Sequence, residues 1–147
     1  EAPWFGLYKP IDYFYVTLIN ILSRIAPNHR VKQKLNKEAI SSIQKRADNY
    51  TNDPLRHGYL SMRLLSGVLK ACDYALENAS KLPIPTYIAY ASNDIIVSND
   101  AILKFASKAK SMVTLKEYES SHAIHNDINR EMFIKDVVRY MDGRLSG

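Results

Sequence analysis

Two titratable residues, Asp94 and His122, each follow shortly after a short apolar run in the second half of the chain. Open α/β sheets place their chemistry just beyond the carboxyl ends of the strands. A carboxylate and an imidazole delivered there are two members of a nucleophile–histidine–acid triad. The third member, the nucleophile, is not recognisable from the sequence.

The elements that must position these two residues have the order strand, helix, strand, helix. Pro83 and Pro85 end a helical pattern, and the runs after them are rich in β-forming residues. The predicted elements are strands at 86–90 and 112–118 and helices at 99–110 and 129–142. This order implies parallel strands with helices packed on the sheet. Because a parallel sheet is buried on both faces and its edges need partners, we expect more strands to come from elsewhere.

The first half of the chain reads as helical, with no convincing strand. Apolar residues recur at three- and four-residue steps over 11–25, and helices are also predicted at 37–47 and 59–80. Turn-forming residues separate the last two. We therefore divide the chain into a helical region, 1–83, and an α/β region, 84–147.

Composition bounds the class of protein. The 147 residues have the size of one domain, 46% of them are hydrophobic, and the net charge is +5. The basic residues are scattered, which favours solvated faces over a nucleic-acid site unless folding gathers them on one face. Cys72 is the single cysteine and is expected to be a small buried side chain. With neither an apolar run of about eighteen residues nor a signal-peptide pattern, we expect a soluble chain, cytoplasmic or in peripheral contact with a membrane.

The stretches around the two titratable residues resemble a known family pattern. They are similar to the Gly-x-x-Asp and Gly-x-x-His turns of the α/β-hydrolase superfamily, in particular its monoacylglycerol lipase and lysophospholipase branch, also described as serine aminopeptidase-like. The polar segment around Asp53 and Pro54 resembles the helical cap (lid) of that branch, so the resemblance covers nearly the whole chain. Ala91 stands where the family has glycine before the acid, and Ser120 is the small residue near the histidine.

The resemblance implies an α/β fold in which a helical cap precedes the last β-α-β-α units of a parallel sheet. Asp94 would be the triad acid and His122 the general base of a serine hydrolase of carboxylic esters, acting on lysophospholipids or monoacylglycerols without a cofactor or metal. The nucleophile of this superfamily lies in a Gly-x-Ser-x-Gly elbow, which this sequence lacks. Because the serine precedes the acid and the histidine in chain order, we expect the N-terminal half of the fold to be missing and these residues alone to be inactive.

Two other interpretations concern the same residues. His122, His125 and Asp127 are spaced so that a metal site can be imagined, but His125 and Asp127 are more simply the loop and N-cap of the last helix. Alternatively, the chain is a non-catalytic interaction module in which Asp94 and His122 are structural. A hydrolase requires these two side chains to approach within about 3 Å.

Aromatic residues are concentrated near the N-terminus. They are expected either to line an acyl-binding groove or to pack as core between the cap and the sheet. These residues are Phe5, Tyr8, Tyr13, Phe14 and Tyr15.

Overall fold

The computed structural model of the chain describes residues 1–33 and 36–145. The helices are α1 (Tyr13–Ile25), α2 (Gln44–Thr51), α3 (Met62–Asn78), α4 (Asn99–Ala109) and α5 (Arg130–Leu145). The strands are β1 (Arg30–Lys32), β2 (Tyr59–Ser61), β3 (Thr86–Ala91) and β4 (Val113–Tyr118). Within the described residues, none of the helices combines the length and the hydropathy needed to cross a bilayer.

The second half of the chain is built around a parallel pair of strands. β3 and β4 run in register from Thr86 opposite Val113 to Ala91 opposite Tyr118. Successive side chains of β3 point to opposite faces, as in any strand. One face packs into a core with α4, and the other faces a smaller core that Phe133 of α5 completes. The predicted α/β architecture with parallel strands and covering helices is therefore confirmed.

The first residues of the chain lie against this parallel pair. The Ala2 amide donates to the Ala89 carbonyl on β3 over 2.7 Å, and Leu7 forms an antiparallel bridge with Val97. Cys72 on α3 is buried, as expected, and its thiol donates to the Trp4 carbonyl. The first residues thus join α3 to the sheet, and the division of the chain at residue 83 stays a prediction.

The first half differs from the prediction in three places. A small antiparallel pair is present where no strand was expected, with Arg30 opposite Ser61 and Lys32 opposite Tyr59. The helix predicted at 59–80 begins later, at Met62, because the Ser61 hydroxyl accepts a hydrogen bond from the Leu64 amide and caps the helix there.

The helix predicted at 37–47 is also broken. A 3₁₀ turn covers Lys37–Ala39 and α2 begins only at Gln44. Between them, the Ala39 and Ile40 carbonyls accept hydrogen bonds from the amides of His122 and Ala123. These partners are far away in sequence, so local helical propensity did not reveal the break. We call residues 39–42 the anchor segment and residues 119–123 the histidine loop.

Helix α1 forms as predicted, and Asp12 caps it by accepting from the Phe14 amide. It lies against α3, where the Ser66 hydroxyl donates to the side-chain oxygen of Asn20. No residue of α1 is fully buried, and Tyr13 and Phe14 are 84% and 69% exposed. The apolar stripe of α1 is thus largely accessible in this chain.

Candidate active site

The loops after β3 and β4 meet at one end of the parallel pair. The Ser92 amide donates to the Tyr118 carbonyl over 2.9 Å, and the Asn93 amide donates to the Ser120 carbonyl over 3.2 Å. These bonds bring the turn that ends in Asp94 against the histidine loop. Two residues separated by a whole helix and strand in sequence thus become neighbours.

Asp94 is buried and held from both sides of its carboxylate. Its Oδ1 accepts hydrogen bonds from the Ile96 and Val97 amides at 2.8 and 3.0 Å. Its Oδ2 lies 2.7 Å from Nδ1 of His122. The residue as a whole is only 3% exposed. Two backbone donors therefore fix one oxygen and leave the other for the imidazole.

His122 combines a fixed backbone with a partly accessible ring. Its side chain is 27% exposed, and its amide donates to the Ala39 carbonyl over 3.2 Å. Because the Asp94 carboxylate accepts the proton on Nδ1, the other ring nitrogen, Nε2, is the one able to accept a proton. This is the tautomer that a general base needs. The two residues singled out from the sequence are brought together within the required distance, and their catalytic role stays a prediction.

His122 lines a cavity of about 590 Å³ between the N-terminal residues, the anchor segment and the loop after β3. Its apolar and aromatic lining residues are Ala2, Trp4, Leu7, Tyr8, Ala39, Ile40, Tyr50, Ile95, Ile96 and Val97. The polar ones besides His122 are Lys9, Gln33 and Asn36. A smaller cavity, of about 330 Å³, is also lined by His122 and contains Glu1 and His125. A mostly apolar chamber next to an acid–base pair is the general form of a small-molecule site.

Of the five N-terminal aromatic residues, two take the expected roles and three take neither. Tyr8 lines the cavity. Phe5 stacks on Phe105 in the core, with ring centroids 4.1 Å apart. Tyr13, Phe14 and Tyr15 are exposed on α1 and are not among the lining residues.

The buried carboxylate of Asp127 has a role that sequence reasoning missed. Its Oδ1 accepts from the Ser42 amide at 3.0 Å, and its Oδ2 accepts from the Ser121 amide at 2.6 Å. The hydroxyls of Ser42 and Ser120 also donate to it. The expected N-cap role of this side chain is therefore wrong, because its oxygens are directed to two other segments. No local signal marks these partners.

The same contacts decide the charge on Asp127. Burial by itself disfavours the carboxylate form, but the hydrogen bonds from Ser42, Ser121 and Ser120 outweigh it and hold the pKa below its ordinary value. Asp127 is thus ionised and fully engaged by neutral donors.

The three residues considered as metal ligands, His122, His125 and Asp127, each have a different hydrogen-bond partner. Nδ1 of His125 lies 2.6 Å from Oε1 of Glu1, whereas His122 faces Asp94 and Asp127 faces the serines. Among residues 1–33 and 36–145, no cluster of three histidine, cysteine or carboxylate side chains has the arrangement of a metal site. The three side chains do not converge.

Comparison with known proteins identifies the family. The family model described as "Serine aminopeptidase, S33" matches residues 1–129. An uncharacterised abhydrolase domain-containing protein of Dictyostelium discoideum is 23% identical over 129 residues, which are 86% of this chain and 14% of that protein.

Two solved structures share the fold. The monoacylglycerol lipase of Paleococcus ferrophilus superposes with a TM-score of 0.89 at 23% identity, over 95% of this chain and 56% of that one. A soluble variant of the monoglyceride lipase of Saccharomyces cerevisiae, in complex with a substrate analogue, gives a TM-score of 0.80 at 17% identity, over 97% and 51%. The chain therefore spans about half the length of these lipases and a smaller part of the Dictyostelium protein. The resemblance read from the turns around Asp94 and His122 is confirmed, and the chain belongs to the serine aminopeptidase S33 family of α/β-hydrolases.

Proposed function

We propose that this chain carries the acid and the general base of a serine hydrolase that cleaves carboxylic esters. The observation that carries the proposal is the hydrogen bond between buried Asp94 and partly exposed His122, 2.7 Å long, at the edge of an apolar cavity. Family membership and the fold of the two lipases support it.

In the proposed mechanism, Nε2 of His122 takes the proton of a serine hydroxyl while the serine oxygen attacks the ester carbonyl. Asp94 keeps the proton on Nδ1 and stabilises the imidazolium that forms. His122 then returns the proton to the departing alcohol, which leaves an acyl-enzyme. Water, activated by the same nitrogen, releases the acid and restores the serine.

The serine is proposed to come from a different part of the natural full-length polypeptide. None of the hydroxyls of the described serines makes a hydrogen bond to the His122 ring. The sequence also lacks the Gly-x-Ser-x-Gly elbow. The 147-residue chain by itself is therefore expected to be inactive.

The substrate class is proposed from the cavity. Most of the residues that line the cavity beside His122 are apolar or aromatic, among them Trp4, Ile95 and Val97. An apolar wall suits an acyl chain. The names of the two lipases agree with this reading. We therefore propose a lipid ester, a monoacylglycerol or a lysophospholipid, as the substrate.

The first experiment measures the intact mass of the natural polypeptide and labels it with a fluorophosphonate probe, which reacts with activated serines. A labelled chain is expected, and His122→Ala should slow its labelling by about 10⁴-fold or more. His125→Ala is the matched control, since its imidazole is exposed and bonded to Glu1, and it should label at the native rate. Unlabelled natural protein, or unaltered labelling of His122→Ala, would contradict the proposal.

Substrate class is tested on the same preparation. Monooleoylglycerol, a lysophosphatidylcholine and an amino-acid p-nitroanilide are compared by kcat/KM. The two lipid esters are expected to be hydrolysed and the anilide to be a poor substrate. Preference for the anilide would leave the triad intact and refute the lipid assignment.

A further inference from the structure

The Asp127 carboxylate joins two segments that are about eighty residues apart in sequence. Its Oδ1 faces the anchor segment, where the amide and the hydroxyl of Ser42 donate to it at 3.0 and 2.5 Å. Its Oδ2 faces the histidine loop, where the Ser121 amide and the Ser120 hydroxyl donate at 2.6 and 3.0 Å. One side chain, 1% exposed, thus spans the gap between the two segments.

Further bonds hold Asp127 and the two segments together. The Ser41 hydroxyl donates to the Asn126 carbonyl over 2.7 Å, and the Arg46 guanidinium donates to the Asp127 carbonyl over 3.0 Å. The amides of His122 and Ala123 donate to carbonyls of the anchor segment. The residue directly before His122 is therefore held by Asp127, and His122 itself is held by the anchor segment.

We propose that Asp127 is a positioning residue for His122. By tying the anchor segment to the histidine loop, it sets the backbone from which the imidazole reaches Asp94. Asp94 orients the ring, and Asp127 fixes the main chain that carries it. The anchor segment then cannot move relative to the sheet without moving His122. The catalytic meaning of this role rests on the proposed function.

The substitution Asp127→Asn tests whether both oxygens of the carboxylate are needed as hydrogen-bond acceptors. An amide has one accepting oxygen, so it presents N–H groups to the backbone donor of either Ser42 or Ser121 and loses one side of the bridge. Asp136→Asn is the matched control, because Asp136 is also shielded and hydrogen-bonded, to Lys116 and Tyr118, and touches neither the anchor segment nor the histidine loop.

The first readout is kcat for a soluble ester, divided by the number of sites that fluorophosphonate titrates in the natural full-length protein. A lost bridge should lower kcat per titrated site by about 10- to 100-fold with little change in KM, since misplacement of a catalytic group by about 1 Å has effects of that size. The Asp136→Asn protein should stay within about threefold of wild type. If Asp127→Asn lowers only the number of titrated sites or Tm, and kcat per site is unchanged, the residue is merely structural and the proposal is wrong.

The second readout does not depend on activity. Proton NMR follows the downfield N–H resonance of the imidazole bonded to Asp94, identified by its loss in His122→Ala. In Asp127→Asn this resonance should broaden or shift, and in Asp136→Asn it should persist. An unchanged resonance overturns the positioning role, whereas failure of serine labelling in the wild-type protein refutes only the hydrolase proposal. If Asp127→Asn does not fold, Ser42→Ala, which removes one hydroxyl donor and keeps the backbone donor, should show the same shift in weaker form.

Discussion

Replacing Asp94 with asparagine separates its proposed role as triad acid from its role in the fold. The Ile96 and Val97 amides both donate to Oδ1, so the amide oxygen of asparagine should take that place. The amide nitrogen is then directed at Nδ1 of His122, where it can only donate. The imidazole is forced to carry its proton on Nε2, which is the nitrogen that must accept one.

The size of the effect follows from this change of tautomer. Loss of the correct tautomer in a serine hydrolase lowers kcat about 10⁴-fold, which corresponds to about 5.4 kcal/mol of activation free energy. Stability should change much less, by about 1 kcal/mol, because the two backbone bonds persist. Asp94→Ala removes them as well and leaves two buried donors unsatisfied, at about 1 to 3 kcal/mol each.

The assay is ester hydrolysis at pH 7 by the natural full-length protein, together with urea unfolding of each variant. Asp100→Asn is the control: Asp100 is exposed in the first turn of α4, and its loss should cost less than about 1 kcal/mol and leave kcat within about twofold. An Asp94→Asn protein that is folded and retains more than a tenth of the native kcat would refute the assignment of Asp94 as triad acid.

Three further predictions concern stability. Ile102 on α4 is completely buried in the core that α4 forms with β3, so Ile102→Ala should lower the free energy of unfolding by about 2 to 5 kcal/mol in urea titrations. A loss below about 1 kcal/mol would mean that this core is loosely packed. Ser98 caps α4 by accepting a hydrogen bond from the Ala101 amide, so Ser98→Ala should lower the free energy of unfolding by about 1 kcal/mol in the same titrations. Ser107→Ala is the control, because the Ser107 hydroxyl is exposed. Because the pKa of Asp127 is lower in the folded protein than in the unfolded chain, its ionised carboxylate stabilises the fold above about pH 4, and this contribution should disappear as the pH falls through the native pKa. The difference in unfolding free energy between wild type and Asp127→Asn should therefore shrink over that pH range. A difference that does not depend on pH would contradict this prediction.

Local patterns were sufficient to locate the parts of the molecule that are built from neighbouring residues. The strand–helix alternation after Pro85 predicted β3, α4, β4 and α5 close to their observed bounds. The placement of Asp94 and His122 after the two strands followed from the same pattern, since parallel strands present their carboxyl ends at one edge. The distance of 2.7 Å between Oδ2 of Asp94 and Nδ1 of His122 agrees with this placement.

Long-range contacts decided what the pattern missed. Ser41 and Ser42 interrupt a helical stretch because their donors are used by Asn126 and Asp127, some eighty-five positions later. The β1–β2 pair likewise joins Lys32 to Tyr59 across a helix. Helical propensity is a sum over adjacent residues and contains no information about such partners.

The sequence by itself determined the α/β class, the order of the elements after Pro85, and the two residues, Asp94 and His122, that stand at the strand ends. These features depend on hydrophobic periodicity and turn chemistry, which are properties of short segments. Only the tertiary structure decided that Asp127 ties the anchor segment to the histidine loop, and that an apolar cavity opens beside His122. The first depends on burying a carboxylate against distant donors, which becomes favourable only when the fold closes around it. The second depends on walls that come from segments far apart in sequence.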